Sequence, residues 1–195
     1  MSYPLTLRFK ILAVARQLSV RDSSDRLLMY VKQKAFKLKE AITVFADEEQ
    51  TRPLYRIAAD RVIDFAATYT ITDEAGTYIG AVRQKGMRSL WRSTYEIVRG
   101  DDVIFSVTEE NPWAKVGNSL FEGIPLIGVL SGYVFHPRYL ITANGRGPAL
   151  RARKEAAFLE SVFRVERLTA QLPAEDERLL LIGMVTTVLL ERRRG

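Results

Sequence analysis

The residues of this chain whose types and spacing could do chemistry are basic, and the chemistry they offer is anion binding. The densest group, which follows a strand-like segment, is Lys32, Lys34, Lys37 and Lys39. In a strand, Lys32 and Lys34 share one face, while Lys37 and Lys39 share the other unless a bulge near positions 35 and 36 shifts the alternation. Because lysine on an edge strand also discourages aggregation, an ordinary solvated strand is the competing interpretation.

A second basic group surrounds Leu90 and Trp91 in a loop-like stretch. Its cations are Arg83, Lys85, Arg88 and Arg92. Cations beside an exposed aromatic ring suit a lipid-headgroup interface or single-stranded nucleic acid. In the alternative interpretation, Leu90 and Trp91 point into a barrel or cap its mouth, and the charges are simply solvated.

The remaining positive charge is dispersed. A third group, for which an ordinary hairpin is the simpler explanation, contains Arg146, Arg151, Arg153 and Lys154. The formal net charge is +6, and the three arginines at 192–194 supply half of that excess. This balance allows attraction to an anionic membrane, but it is too small and too dispersed to favour nucleic acid.

Motifs for catalysis, metals and cofactors are missing from the sequence. The chain has no cysteine, which excludes disulfides, thiolate metal sites and a cysteine nucleophile. The single histidine, His136, has no ligand spacing around it, and no serine lies in a nucleophile elbow. The acidic groups at 47–49 and 101–102 lie in predicted turns, and nothing favours a distant glycosidase-type carboxylate pair. We therefore expect no enzyme activity, no cofactor and no metal.

The segments that carry these residues alternate at period two. Polar turns separate the strand-like runs at residues 22–25, 73–76, 100–102 and 144–147. Asn-Gly-Arg-Gly in the last turn lacks the third glycine of a nucleotide loop, so a hairpin explains it. Roughly a dozen strands at spacings of about 8–12 residues indicate a sandwich or a barrel. Residues 111–132 depart from the pattern, with a short helix predicted near 112–122.

Residues 179–190 predict a helix that has no polar face. They read Leu-Leu-Leu-Ile-Gly-Met-Val-Thr-Thr-Val-Leu-Leu, with acids at 175–177 and arginines at 192–194. Such a helix must be enclosed by protein or by lipid. The apolar stretch spans about 18 Å, against roughly 30 Å of bilayer hydrocarbon, so we expect a protein-enclosed helix and no transmembrane span. A closed barrel of about twelve strands has a wide interior that this helix would fill.

The chain resembles the LURP-one-related family of the Tubby C-terminal-like superfamily, which is related to the phospholipid scramblases. The resemblance is carried by residues 29–38 (Met-Tyr-Val-Lys-Gln-Lys-Ala-Phe-Lys-Leu), 68–76 (Thr-Tyr-Thr-Ile-Thr-Asp-Glu-Ala-Gly), 80–85, 95–97 and the closing helix at 177–195. It implies a twelve-stranded antiparallel barrel around a central C-terminal helix. It also implies a protein that is not an enzyme, in a superfamily whose tubby members bind phosphoinositides.

These observations together predict one domain over residues 1–195. We expect it to bind anionic phospholipid or phosphoinositide headgroups through the first two basic groups, including Trp91. The longest apolar run near the N-terminus, residues 11–15, is shorter than a signal-peptide core, so we expect a cytoplasmic protein that is peripheral to a membrane. The alternative is a protein-interaction or scaffold domain that uses the apolar residues of 111–132.

Overall fold

The alternating segments of the sequence form twelve antiparallel β-strands. The computed structural model describes residues 1–10, 16–33, 41–60, 67–84, 94–110, 138–155, 157, 160–169 and 172–194. Within these ranges the strands are β1 (Leu5–Lys10), β2 (Arg16–Arg21), β3 (Leu27–Gln33), β4 (Ile42–Phe45), β5 (Pro53–Ala59), β6 (Thr68–Asp73), β7 (Tyr78–Gln84), β8 (Thr94–Arg99), β9 (Asp102–Glu109), β10 (Arg138–Ala143), β11 (Gly147–Glu155) and β12 (Glu160–Arg167). Helix α1 (Ala174–Arg194) follows them.

The sheet is closed into a barrel. Each strand pairs with the next along the chain, and β1 also pairs with β12. In that closing pair Leu5 lies opposite Val165, and Lys10 lies opposite Glu160. An even number of antiparallel strands lets the last strand run opposite to the first. The structure therefore confirms the predicted barrel.

Inward-facing residues of the strands form the core together with the helix. In β1, Leu5, Leu7 and Phe9 are buried, whereas Arg8 and Lys10 are exposed. The same alternation continues around the barrel, and one apolar cluster joins these inward side chains to residues of α1. The period-two pattern in the sequence thus marks the inner and outer faces of the wall.

Helix α1 is enclosed by the barrel. Every residue from 179 to 190 is buried, which matches the absence of a polar face. The hydroxyls of Thr186 and Thr187 donate to the carbonyls of Ile182 and Gly183, at 2.8 and 2.9 Å, and this satisfies them inside the core. Among the described residues, no helix combines the length and the apolar character that crossing a bilayer requires.

Two glycines set how closely the helix approaches the wall. A Cβ atom built on Gly80 of β7 would lie 2.5 Å from Leu179 Cδ1 and 2.7 Å from the Val98 carbonyl oxygen. One built on Gly183 of α1 would lie 2.5 Å from Ile97 Cδ1. The helix therefore packs against β7 and β8 at a distance that excludes even a methyl group.

The predicted turns are observed where the structure describes them. Gly145 and Gly147 have φ angles of 72° and 82°, which confirms the hairpin interpretation of that segment. The short helix predicted near 112–122, and all of 111–132, lie outside the described residues.

Candidate anion-binding surface

The barrel has two ends that differ in their connections. Because successive strands alternate in direction, the connections alternate between the ends. We call the end at which α1 begins the proximal end; it carries the turns after β2, β4, β6, β8 and β10. The other end, towards which α1 runs, we call the distal end. Lys32 and Arg83 lie near the distal ends of β3 and β7.

At the proximal end, the acidic first turn of α1 forms ion pairs with arginines of the wall. Arg99 lies 3.1 Å from Asp176, and Arg146 lies 3.5 Å from the same carboxylate. Arg167 pairs with Glu177 and covers the ring of Tyr3 at 4.5 Å. Burial raises the pKa of Tyr3, although the Arg167 charge opposes the shift. These arginines fix the start of the helix, and their charge is neutralised locally.

Two aspartates organise proximal turns. Partial desolvation disfavours ionisation of Asp22, but the N–H groups of Arg26 and Ser24 and the Arg26 guanidinium outweigh it and hold the pKa of Asp22 below 3.8. Asp47 is similar: hydrogen bonds from Thr51 and Arg52 outweigh desolvation and lower its pKa. Asp47 thus lies in a turn, as the sequence predicts, and its carboxylate is engaged by that turn.

The first basic group is described only at Lys32. Lys32 is exposed on the outer face and lies opposite Gln17, which in turn lies opposite Lys10 of β1. Lys10 and Lys32 therefore flank Gln17 on three adjacent strands. Neither lysine has a carboxylate within 4 Å among the described residues, and Glu160, which lies opposite Lys10, pairs with Arg8 instead. The other members of the group, Lys34, Lys37 and Lys39, lie outside the described residues.

The second basic group is described only at Arg83. Its guanidinium lies 2.8 Å from the carboxylate of Glu96, which is opposite it on β8. This ion pair offsets the positive charge of Arg83. The rest of the group, Lys85, Arg88, Trp91 and Arg92, lies outside the described residues.

The third basic group is divided by the fold. Arg146 lies in the proximal turn and pairs with Asp176. Arg151 is held by Glu110, with three nitrogen–oxygen distances between 3.0 and 3.2 Å. Arg153 is further from its nearest acid, 4.0 Å from Glu166, and remains 45% exposed. Of these three, Arg153 lies furthest from its acid, whereas Arg146 is the most exposed side chain, at 58%, although it is paired.

Cations without a partner collect on one side of the barrel wall. Six described Lys and Arg side chains have no carboxylate within 4 Å among the described residues: Lys10, Lys32, Arg56, Arg138, Arg164 and Arg178. Of these, Arg178 interacts with Tyr55, where its charge opposes the rise in pKa that burial causes. Four of the six lie on β10, β12, β1 and β3. Strands β10, β11, β12, β1, β2 and β3 are consecutive around the barrel, and we call this side the basic half.

Comparison with known protein families shows to which family the chain belongs. The profile of the LURP-one-related family matches residues 27–166, which is more than half of the sequence. The chain belongs to the LURP-one-related family. The resemblance noted in the sequence is thereby confirmed, and the barrel is consistent with the Tubby C-terminal-like superfamily.

The matched region does not close the barrel of this LURP-one-related protein by itself. It begins at β3 and ends within β12, whereas closure needs β1 and β2 between those strands. Helix α1, which fills the interior, also lies beyond the match. Searches of curated proteins and of solved structures each gave no match.

Sequence reasoning missed three cations that the LURP-one-related barrel brings into the basic half: Lys10, Arg138 and Arg164. Arg138 and Arg164 belong to none of the three sequence groups, because each is isolated from other cations of its own strand face. Strand register places them on either side of Arg153. The available signal was their outward position in the alternation, which becomes informative only when the pairing of β10, β11 and β12 is known.

Metal binding finds no support among the described residues of this LURP-one-related protein. No group of three or more His, Asp or Glu side chains in those ranges is arranged to hold a metal ion. His136 lies outside them.

Proposed function

We propose that this protein is a non-enzymatic binding module that engages anionic phospholipid headgroups, phosphoinositides among them, through its basic half. The observation that carries the proposal is the contrast between the two sets of cations. Proximal arginines such as Arg99 and Arg146 are paired with acids of α1, whereas Lys10, Lys32, Arg138 and Arg164 are exposed and have no acidic partner among the described residues.

An unpaired cation on a convex wall is suited to an anionic membrane surface. Each Lys or Arg near such a surface contributes about 1 kcal/mol, and the attraction falls off within roughly 8 Å at physiological salt. Four such cations give a weak and reversible association that salt weakens. Membership of the LURP-one-related family supports the barrel as a binding scaffold but does not identify the ligand.

Vesicle co-sedimentation tests the proposal. We expect the full-length protein to sediment with vesicles of phosphatidylcholine that contain phosphatidylserine or a phosphatidylinositol bisphosphate, and less so as salt is raised. Pure phosphatidylcholine vesicles provide the reference. Equal sedimentation with neutral and with phosphoinositide-containing vesicles would contradict the proposal.

Charge reversal on the outer face tests whether vesicle binding depends on a particular surface or only on the net charge of the protein. Lys32→Glu should weaken sedimentation with anionic vesicles. Arg56→Glu is the matched control, because Arg56 is also exposed, outward-facing and unpaired among the described residues, but lies on β5, outside the basic half. If both variants lose binding to the same extent, the basic half is not the contact surface.

A further inference from the structure

Three arginines form a row across adjacent strands of the outer wall. Arg138 of β10 lies directly opposite Arg153 of β11, and Arg153 lies directly opposite Arg164 of β12. All three are exposed, while the residues beside them, such as Tyr139, Ala152 and Val165, are buried and face inward. We call this set the arginine row. Since neighbouring strands lie about 5 Å apart, the row is roughly 10 Å long at the backbone.

The row carries an electrostatic cost that the fold does not relieve. Like charges directly opposite each other on a sheet are destabilising. Among the described residues, the carboxylate nearest to these guanidinium groups is that of Glu166, 4.0 Å from Arg153 and 41% exposed, and such a surface pair is weak. Glu110 lies beside Arg138, but its carboxylate binds Arg151. Arg138 and Arg164 have no acid within 4 Å among the described residues. Three neighbouring guanidinium groups are therefore left with little compensation.

Other arginines near the row on the same wall have acidic partners. Arg151, two residues before Arg153, is held by both oxygens of Glu110. Arg8 of β1 lies 3.5 Å from Glu160. Acids on this part of the wall therefore pair with some arginines and leave others, including Arg138 and Arg164, without a partner among the described residues. Such a row is stabilised when an external anion supplies the negative charge.

The geometry points to the chemistry of that anion. Each guanidinium is planar and presents a fork of N–H donors that matches a phosphate group in a bidentate arrangement. A row of three such forks suits a compact ligand with two or more phosphate groups better than it suits a single carboxylate. Thr6 of β1, directly opposite Arg164, extends the row with a hydroxyl donor.

We propose that Arg138, Arg153 and Arg164 form a binding site for clustered phosphate groups, such as those of a polyphosphorylated inositol ring. The assignment of a lipid as the source of that ring rests on the proposed function. The shared chemistry is the phosphate cluster, carried either by a membrane lipid or by a free inositol polyphosphate.

The test compares two charge-matched double variants of the full chain. Arg138→Gln with Arg164→Gln removes two charges from the arginine row. Arg56→Gln with Arg178→Gln removes two exposed charges elsewhere: Arg56 lies on β5, six strands from β11 around the barrel, and Arg178 lies near the start of α1. Inositol hexakisphosphate is titrated into each protein by calorimetry, and vesicle sedimentation is run in parallel.

We expect the row variant to bind inositol hexakisphosphate at least about tenfold more weakly than the wild type, because charge-assisted contacts are lost. The control variant should stay within about twofold. An equal loss in both variants would show long-range attraction without a site, and no loss in the row variant would overturn the assignment.

The vesicle arm distinguishes this inference from the proposed function. Loss of phosphoinositide-vesicle binding in the row variant alone supports both. If the row variant retains both vesicle binding and inositol hexakisphosphate binding, the proposed function stands and the site is overturned. Binding of the soluble probe that depends on the row, without any vesicle binding, supports the site with a free anion as ligand and contradicts the lipid proposal.

A fold control keeps the result interpretable. Removing a charge from the row relieves like-charge repulsion, so Arg153→Gln should leave the thermal unfolding midpoint unchanged or raise it. A clear fall in that midpoint would mean that the row stabilises the wall without a ligand, and this would contradict the inference.

Discussion

At the level of single residues, two aspartates stabilise turns by accepting hydrogen bonds from nearby backbone N–H groups. Asp22 accepts hydrogen bonds from the backbone N–H groups of Ser24 and Arg26, and Asp47 does the same for Thr51 and Arg52. In both turns an aspartate replaces the sheet partner that the turning backbone has lost. The ionised form of the carboxylate is the one that fits this role.

The pH dependence of stability follows from these two residues. Their folded-state pKa values are lowered from 3.8, so each stabilises the fold above that value and the contribution is lost as the pH falls through the folded pKa. We expect the urea midpoint to be flat from neutral pH to about pH 5 and to fall below about pH 4. Asp22→Asn with Asp47→Asn should show a shallower acid dependence; an unchanged one would contradict the assignment.

Gly183 gives a second prediction at the residue scale. Gly183→Ala should destabilise the protein by about 1–3 kcal/mol, because the new methyl group overlaps Ile97 Cδ1 and Cγ1. Ile97→Val removes the Cδ1 atom and should reduce that penalty in the double variant. A double-mutant cycle from denaturant unfolding measures the coupling; additive effects would mean that the close approach to Ile97 is not the cause.

At the scale of elements, the apolar part of α1 and its acidic first turn hold the helix in place in different ways. Its apolar residues pack in the barrel interior, and its first turn forms ion pairs with arginines from separate parts of the wall. Negative charge in the first turn also interacts favourably with the helix dipole. The electrostatic contacts therefore position a helix whose burial the apolar residues already favour.

Substitution of Asp176 and of Glu175, which lie in the same turn, tests whether the ion pairs position α1. Asp176→Asn should reduce stability by about 1–3 kcal/mol, because Arg99 and Arg146 lose a largely buried partner. Glu175→Gln is the matched control, since Glu175 is 75% exposed and 3.9 Å from Arg99, and should change stability by less than about 0.5 kcal/mol. Equal effects would show that the dipole, and not the arginine contacts, dominates.

For the whole molecule, the barrel and the helix depend on each other. The inward faces of the wall meet α1 in a single apolar cluster. Removing the helix would expose the inner side chains to water across a wide interior, so the wall and its filling should unfold together.

Truncation checks this dependence. Removal of residues 177–195 should abolish the soluble fold, seen as loss of the cooperative unfolding transition and of near-ultraviolet circular dichroism. A truncated chain that stays folded and monomeric would contradict the central-helix interpretation.

The fold could be predicted from the sequence because its signals are local. Alternation in segments such as residues 5–10 marks the inner and outer faces, and the turns at 22–25 and 144–147 separate strands. The lack of a polar face at 179–190 requires enclosure of the helix. The candidate surface stays a prediction: Lys32 is exposed, Arg83 is paired with Glu96, and the other predicted residues lie outside the described ones.

The sequence alone therefore determined the strands, the buried helix and the family resemblance, since periodicity and turn residues act between near neighbours. Tertiary structure decided which cations share a surface. Arg138, Arg153 and Arg164 come from different strands and become neighbours only through the register of β10, β11 and β12. Register depends on how whole strands pair in the closed barrel, so no short stretch of sequence contains the arginine row.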